Sequence, residues 1–148
     1  MRTLFFICLF FSTMVQAGSD CQQYLDDCEY YSCIEVQKQC GEDGYPIGFG
    51  RKYCMRFEER RANLSPEGQE WMKRVRSCLI AGMEESSDEL TCREFKSSAV
   101  KLHVPCYVDS GYCQLSKKDK KAVIKMIRWS MWRPSLLSAG IQVLRSCK

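Results

Sequence analysis

Residues 65–83 read SPEGQEWMKRVRSCLIAGM and carry the signals of one complete amphipathic helix. Ser65, Pro66 and Glu67 supply a capping hydroxyl, a proline at the first helical position and an acid in the first turn. Apolar side chains then recur at i, i+4, i+7 and i+8, at Trp71, Val75, Cys78 and Leu79. This spacing predicts a helix that buries one face.

The chain before this segment shows the same periodicity, with one interruption. Ser19 or Asp20 can cap a first helix that extends to about residue 30. Four glycines and a proline mark a loop before the next helix. The predicted elements are helices over 20–30, 32–39 and 51–63 and a loop over 40–50.

The chain after this segment begins with a second set of helix signals. Ser86 and Glu89 have the spacing of a capping box, in which each side chain satisfies the other's backbone N–H. Apolar residues follow at helical spacing, at Leu90, Phe95, Ala99, Leu102 and Cys106. We expect this helix to end at Pro105, because proline cannot donate a backbone hydrogen bond.

Two further helices complete the prediction. Ser116 is expected to cap a helix over 117–133 that Pro134 ends, and Ser135 to begin a last helix that reaches residue 146. No alternating run of β-branched residues exceeds a few positions, so no strand is predicted. We therefore predict an all-α fold: a single disulfide-stapled helical domain of about five to six short helices.

The start of the chain has the three parts of a secretory signal peptide. Arg2 gives a positive start, residues 4–11 (LFFICLFF) are apolar throughout, and small residues lead to a cleavage position at Ala17. A membrane anchor needs about 20 apolar residues, whereas polar residues follow this run directly. We predict a signal peptide over 1–17 and a secreted, extracellular domain over 18–148 with no membrane insertion.

The cysteine count fits an extracellular protein. Eleven cysteines occur in the chain, and ten remain when Cys8 leaves with the signal peptide. An even number in a secreted domain predicts five disulfides. Zinc sites pair their ligands, for example as C-x-x-C, but this sequence has no C-x-x-C and a single histidine, His103. We therefore predict no metal site and no cofactor.

The charge balance gives no argument for nucleic acid as a partner. Loss of Arg2 with the signal peptide reduces the 22 basic residues to 21, against 18 acidic residues, so the net charge becomes +3. Such a small excess does not indicate a polyanionic partner by itself.

The sequence lacks the residue combinations of secreted helical hydrolases. A phospholipase A2 needs a His-Asp pair on a helix, in which the histidine activates water and the aspartate binds calcium. His103 is followed by Val104 and Pro105, so no such pair exists. A serine or cysteine hydrolase needs a base beside its nucleophile, and paired cysteines leave no free thiol. We predict that the protein is not an enzyme and has no catalytic residue.

The predicted helix 117–133 carries a basic stripe, which is the candidate binding surface. At about 100° per residue, four cations share one side of this helix with a tryptophan. These residues are Lys117, Lys121, Lys125, Arg128 and Trp132. An ordinary solvated helix face is the favoured interpretation, because charged helix faces are common. A tryptophan beside the cations in a secreted protein keeps open the alternative of a surface that binds an acidic protein or a sulfated glycan.

Asn63-Leu64-Ser65 forms a sequon for N-linked glycosylation. The sequon lies in the predicted turn between two helices, where an enzyme can reach it. We predict a glycan at Asn63, with a chance match as the alternative.

Four cysteine-containing segments resemble the stanniocalcin family. They are DDCEYYSCIEVQKQC (26–40), KYCMRF (52–57), GQEWMKRVRSCLIAGM (68–83) and LTCREFKSSAVKLHVPCYVDSGYC (90–113). Family members similarly have C-x₄-C near the start, C-x-x-F after the long loop, and a second C-x-x-F followed by Cys-Tyr and another cysteine. The similarity spans about Cys21 to Cys147.

The resemblance implies a secreted helical glycoprotein hormone. The family is linked to calcium and phosphate regulation, and its vertebrate members inhibit pappalysin metalloproteases. The implied partner is therefore an extracellular receptor or protease. Family members carry a further C-terminal cysteine that joins two subunits, and this chain stops at Lys148 without it. We therefore expect a monomer or a non-covalent homodimer.

The resemblance also implies which cysteines pair. The expected disulfides are Cys21–Cys33, Cys28–Cys54, Cys40–Cys92, Cys78–Cys106 and Cys113–Cys147. These disulfides would hold together short helices that are only marginally stable in water on their own.

Two other classes of secreted protein stay open. A carrier would enclose an apolar ligand among its helices, as insect odorant-binding proteins do, although the C-x₃-C and C-x₈-C spacings of those proteins are absent. A hydrophobic cavity lined by Met and Phe would support a carrier. A toxin-type binding protein would use the same disulfide-rich scaffold.

Overall fold

The computed structural model describes residues 21–85 and 90–147. Six α-helices occur in this part of the chain: α1 (Tyr30–Lys38), α2 (Lys52–Glu59), α3 (Pro66–Glu85), α4 (Cys92–Asp109), α5 (Lys117–Ile127) and α6 (Pro134–Ser146). Shorter helical turns connect them at Cys21–Tyr24, Tyr45–Arg51, Arg61–Asn63, Tyr112–Gln114 and Ser130–Trp132. Neither described range contains a strand, so the predicted all-α, disulfide-stapled domain is confirmed.

The central helix is α4, which packs against α3 on one side and against α6 on another. Trp71, Val75 and Leu79 form the buried face of α3, as predicted. Cys78 lies at the more exposed edge of this face and is disulfide-bonded to α4. Trp71 Nε1 donates to the Tyr107 carbonyl at 3.3 Å, so the largest core side chain also links the two helices by a hydrogen bond.

The first turn of α4 is capped by Thr91. The Glu94 N–H donates to Thr91 Oγ1 at 3.4 Å, and the Thr91 N–H donates to Glu94 Oε2 at 2.9 Å. These reciprocal bonds form a capping box. The box that we predicted at Ser86 and Glu89 lies outside the described residues, and α4 itself begins at Cys92.

The same helix continues through Pro105, so the predicted end at this residue is wrong. Proline removes the hydrogen bond to the Lys101 carbonyl. Lys101 and Pro105 both lie on the exposed side of the helix, where water can satisfy that carbonyl. Phe95 and Cys106 are almost fully buried on either side of the proline. Their burial holds α4 against the core along its whole length.

The N-terminal region contains less helix than predicted. Only a 3-10 turn, Cys21–Tyr24, replaces the predicted helix over 20–30, and α1 begins at Tyr30. The Asp27 carboxylate accepts the Glu29 N–H at 2.9 Å. Such a local side-chain bond competes with a continuous helix, which explains why α1 starts late.

The predicted loop over 40–50 is partly helical. Tyr45–Arg51 forms a π-helical turn that leads directly into α2. The rings of Tyr45 and Phe49 are buried with their centroids 5.4 Å apart, and Tyr45 also contacts Phe95 of α4. Burial of these rings outweighs the poor helix propensity of the glycines around them.

The ten cysteines between residues 21 and 147 are all paired. The bonds are Cys21–Cys33, Cys28–Cys54, Cys40–Cys92, Cys78–Cys106 and Cys113–Cys147, the same pairs that the resemblance implies. Cys40–Cys92 connects the end of α1 to the start of α4, and Cys113–Cys147 closes the segment that contains α5 and α6. The longest-range bond, Cys40–Cys92, therefore joins helices whose cysteines are 52 residues apart in the chain.

Candidate functional site

The start of α5 is fixed by the buried carboxylate of Asp119. Ser116 caps this helix as predicted and accepts the Asp119 N–H at 3.0 Å. The Asp119 side chain is 1% exposed. It accepts the Ser116 hydroxyl at 2.7 Å and both the N–H and the hydroxyl of Ser65 at 2.8 Å. One carboxylate therefore links the first turns of α3 and α5.

Hydrogen bonds keep this carboxylate ionised. Burial alone raises the pKa of Asp119, but the bonds from Ser116 and Ser65 and the nearby charge of Lys118 lower it, and the resulting pKa lies below the ordinary 3.8. Gly68 makes room for this arrangement, since a Cβ there would lie 2.8 Å from Asp119 Oδ1. The sole acidic side chain of α5 is thus directed inward, which leaves basic charge on the exposed face.

The predicted basic stripe lies on that exposed face. Its four cations are all exposed, and none forms an ion pair with a described residue: Lys117, Lys121, Lys125 and Arg128. Lys120 differs, because its ammonium donates to the Cys113 carbonyl at 2.7 Å. The four stripe residues are therefore available to a partner.

The helix that carries the stripe is shorter than predicted. It ends at Ile127, so the prediction of one continuous helix over 117–133 is wrong. The Ser130 hydroxyl donates to the Ile127 carbonyl at 2.7 Å. Ser130 is buried, and a separate 3-10 turn, Ser130–Trp132, follows. The position of Trp132 is therefore set by this turn and not by the geometry of α5.

Two tryptophans extend the exposed surface beyond α5. Trp132 is 81% exposed and Trp129 is 62% exposed. The Arg128 guanidinium lies 4.8 Å from the centroid of the Trp129 ring, within the range of a cation–π contact. Sequence reasoning missed Trp129, although its position directly after Arg128 was an available signal.

A further apolar row lies on α6. Leu137, Ile141 and Leu144 are between 41% and 56% exposed, while the opposite face of the helix is buried. The helix begins at Pro134, one residue before the predicted start, and ends at Ser146 as predicted. The segment LLSAGIQVL (136–144) has apolar residues on both faces, a signal that we did not use.

Charge is segregated along the chain. Residues 117–148 contain nine basic residues and one acidic residue, a net charge of +8. Residues 1–116 contain thirteen basic and seventeen acidic residues, a net charge of −4. The modest total of +4 therefore conceals a strongly basic C-terminal segment.

The predicted glycosylation residue, Asn63, is exposed at the end of the turn Arg61–Asn63. Leu64 is buried beside it. The Ser65 hydroxyl accepts the Gly68 N–H at 3.1 Å, so the predicted cap of α3 is present. The exposure of Asn63 leaves its side chain accessible to solvent.

The single histidine, His103, lies among aromatic side chains. Its Nδ1 is 2.8 Å from the Ala99 carbonyl oxygen, which can only accept, so Nδ1 carries a proton. The ring centroid lies 5.9 Å from that of Phe49 and 5.8 Å from that of Tyr107. Burial lowers the pKa of His103 below 6.5 against the opposing effect of its backbone hydrogen bonds. These contacts hold a neutral imidazole in place.

The strongest candidate site in the described part of the chain is what we term the cationic surface: Lys117, Lys121, Lys125, Arg128, Trp129 and Trp132. No protein-family model, curated protein or solved structure matches the chain. Within residues 21–85 and 90–147, no helix is long and apolar enough to cross a bilayer. The same ranges contain no group of three or more His, Cys, Asp or Glu side chains that could hold a metal ion.

Proposed function

We propose that this protein is a secreted, non-catalytic, hormone-like protein that acts outside the cell by binding an anionic partner. Its five disulfides support an extracellular setting, because such bonds persist in oxidising compartments. The resemblance to the stanniocalcins supports the hormone-like role. The same resemblance supports a role in calcium or phosphate homeostasis, or in the inhibition of an extracellular metalloprotease.

One observation carries this proposal: within residues 117–132, the cationic surface presents four exposed cations that form no ion pair with a described residue, and two exposed indoles. Tryptophan and arginine are the residue types that most often dominate the energy of an interface. Exposed lysines accelerate association with a partner of opposite charge and make binding weaken with salt. The surface therefore combines positive charge that attracts an anionic partner with aromatic side chains whose burial at an interface favours binding.

Both an acidic protein and a sulfated glycan match the charge of this surface. The tryptophans favour a protein partner, since flat aromatic side chains contribute most when they fill a pocket. The favoured partner is thus an acidic patch on an extracellular receptor or protease, and a sulfated glycan is the second candidate. Heparin is a suitable first probe, because it presents dense negative charge without requiring a defined pocket.

Replacing Lys121, Lys125 and Arg128 together with glutamate is expected to weaken heparin binding by about 100-fold. Each cation beside an anionic surface contributes roughly 1 kcal/mol at physiological salt, and the three side chains lie on the exposed face of one short segment. The measurement is the salt concentration at which each protein elutes from a heparin column.

The matched control reverses three other exposed cations that form no ion pair with a described residue, Arg93, Lys96 and Lys101 of α4. This variant has the same net charge as the first and should elute close to the unmodified protein. Equal elution of the two variants would show that heparin responds to total charge and would contradict the proposed surface.

Secretion is tested independently by expression in a eukaryotic secretory host. The released protein should begin at Gly18, after removal of the predicted signal peptide. Alkylation under non-reducing conditions should modify none of its ten cysteines, because all ten are paired. N-terminal sequencing and mass spectrometry measure both outcomes. An intact Met1 or a labelled cysteine would contradict this part of the proposal.

A further inference from the structure

A mostly apolar cavity of about 140 Å³, partly open to solvent, lies between the helices of the domain. The turn Tyr45–Arg51 and helices α2 to α6 contribute most of its wall. Aromatic and aliphatic side chains make up most of the lining, which also includes two methionines; Phe49, Phe57, Met72 and Met131 are among these residues. A cavity lined by Met and Phe is the feature that the carrier alternative requires.

The size of this space fits one small ring. Protein interiors are normally packed to the density of organic crystals, with few voids larger than a water molecule. An apolar cavity of about 150 Å³ stays dry and can take up a benzene molecule. A cavity of about 140 Å³ is therefore suited to a single six-membered ring with one small substituent.

The cavity wall also contains a buried hydroxyl that lacks a partner. Tyr45 lines the cavity and is only 5% exposed, and its hydroxyl makes no hydrogen bond with any described residue. Burial raises the pKa of Tyr45 well above 10, so the group keeps its proton. A buried polar group without a partner is unfavourable, and a ligand that supplies the partner would remove that cost.

His103 supplies a second polar group on the same wall. Since its Nδ1 proton is donated to the Ala99 carbonyl, the neutral ring has Nε2 as an acceptor. Tyr45 and His103 both flank Phe49, with ring centroids 5.4 and 5.9 Å from that of Phe49. Tyr45 and His103 thus add a donor and an acceptor to a cavity whose lining is mostly apolar.

Access to the cavity lies on the side of α5 and α6. Ile124 and Leu144 line the cavity and are nevertheless 49% and 56% exposed. Met131 also lines the cavity and packs directly against Gly140. A Cβ atom at residue 140 would lie only 2.5 Å from the Cε atom of Met131. A flexible methionine beside a residue without a side chain can move with little resistance, so this edge is the natural route for a small molecule.

We propose that this cavity is a binding site for a small, uncharged aromatic molecule that carries one hydroxyl group, of the simple phenol class. The ring would fill the space among the aromatic side chains, and its hydroxyl would accept a hydrogen bond from the Tyr45 hydroxyl, which otherwise lacks a partner among the described residues. The site is separate from the cationic surface and does not depend on its function. Outside the cell, such a site would make the protein a carrier of its ligand.

Phenol and toluene test this site, because they have nearly the same shape and differ in one hydroxyl. Titration of the oxidised protein, followed by NMR or calorimetry, should show saturable binding of both, with phenol the tighter. In a Tyr45→Phe variant the preference for phenol should fall about three- to tenfold, which corresponds to the loss of one hydrogen bond. Tyr24→Phe, outside the cavity lining, should leave the preference unchanged.

A second variant fills the space itself. Ala139 of α6 is buried in the cavity wall, so Ala139→Leu should abolish binding of both molecules, whereas Ser135→Leu at an exposed position of the same helix should not. Absence of saturable binding to the unmodified protein would overturn the proposal. Equal affinity for phenol and toluene would overturn the assigned ligand class. If Ala139→Leu does not fold, the phenol preference in Tyr45→Phe decides the question alone.

Discussion

Replacement of Asp119 with alanine is expected to lower the free energy of unfolding by about 3–5 kcal/mol. The substitution leaves three donors without their acceptor, namely the N–H and hydroxyl of Ser65 and the hydroxyl of Ser116. A hydrogen bond to a charged group contributes about 1.5–3 kcal/mol, and the hydroxyls can recover part of this loss by turning toward water. Equilibrium unfolding in urea, with the disulfides intact, measures the difference.

The pH dependence of stability provides a second test of the Asp119 carboxylate. Because the pKa of Asp119 in the folded protein lies below the ordinary 3.8, its stabilising effect is complete above about pH 4. The effect is lost as the pH falls through the folded-state pKa. An Asp119→Asn variant should therefore lose less stability than the unmodified protein on acidification below pH 4.

The control for both measurements is Asp109→Ala. Asp109 is exposed at the end of α4, and its replacement should change stability by no more than about 0.5 kcal/mol. A loss for Asp119→Ala that is no larger than that of the control would mean that the carboxylate does not join α3 to α5.

The second large effect is expected from removal of the Cys113–Cys147 disulfide. This bond closes a 34-residue segment that contains α5 and α6. Changing both cysteines to serine should lower the free energy of unfolding by about 2–5 kcal/mol, because the unfolded chain regains the freedom that the bond removes. The remaining four disulfides stay in place, so the loss should appear first as loosening of α5 and α6. Urea unfolding and amide hydrogen exchange measure the two effects.

The Cys21–Cys33 bond is the natural comparison, since it closes only 12 residues. In the chain-entropy description its removal should cost about 1 kcal/mol less than removal of Cys113–Cys147. An unchanged melting temperature after loss of Cys113–Cys147 would indicate that α5 and α6 are held by packing alone. Faster exchange confined to α1 in that variant would also be inconsistent with the observed pairing.

The elements that could be predicted from the sequence are those with complete local signals. Ser65 and Pro66 begin α3, and Ser116 begins α5, because a cap acts within four residues of chain. The end of α5 could not be predicted locally, since it depends on burial of Ser130. The predicted helix end at Pro105 was wrong because the cost of the missing backbone hydrogen bond depends on whether the proline lies on the exposed side of the helix.

The candidate site also has some features that could be predicted from the sequence and others that could not. The basic stripe on α5 follows from helical spacing, so it was visible in the sequence. The inward position of Asp119 was not, because its carboxylate is bonded to Ser65, 54 residues earlier in the chain. The cavity has no sequence signal at all. It is the space left between several helices and turns, and only their relative placement brings Tyr45 and His103 into one lining.

The segregation of charge along the chain affects more than affinity. After the predicted loss of residues 1–17, the molecule has a net charge of +8 over residues 117–148 and −5 over residues 18–116, so it is an electric dipole as well as a cation. Near an anionic surface it experiences a torque, which turns the exposed side of α5 forward before contact. Screening limits this torque to about 8 Å at physiological ionic strength. Within that distance, rotation can correct the orientation of an approaching molecule, so a larger fraction of encounters leads to binding.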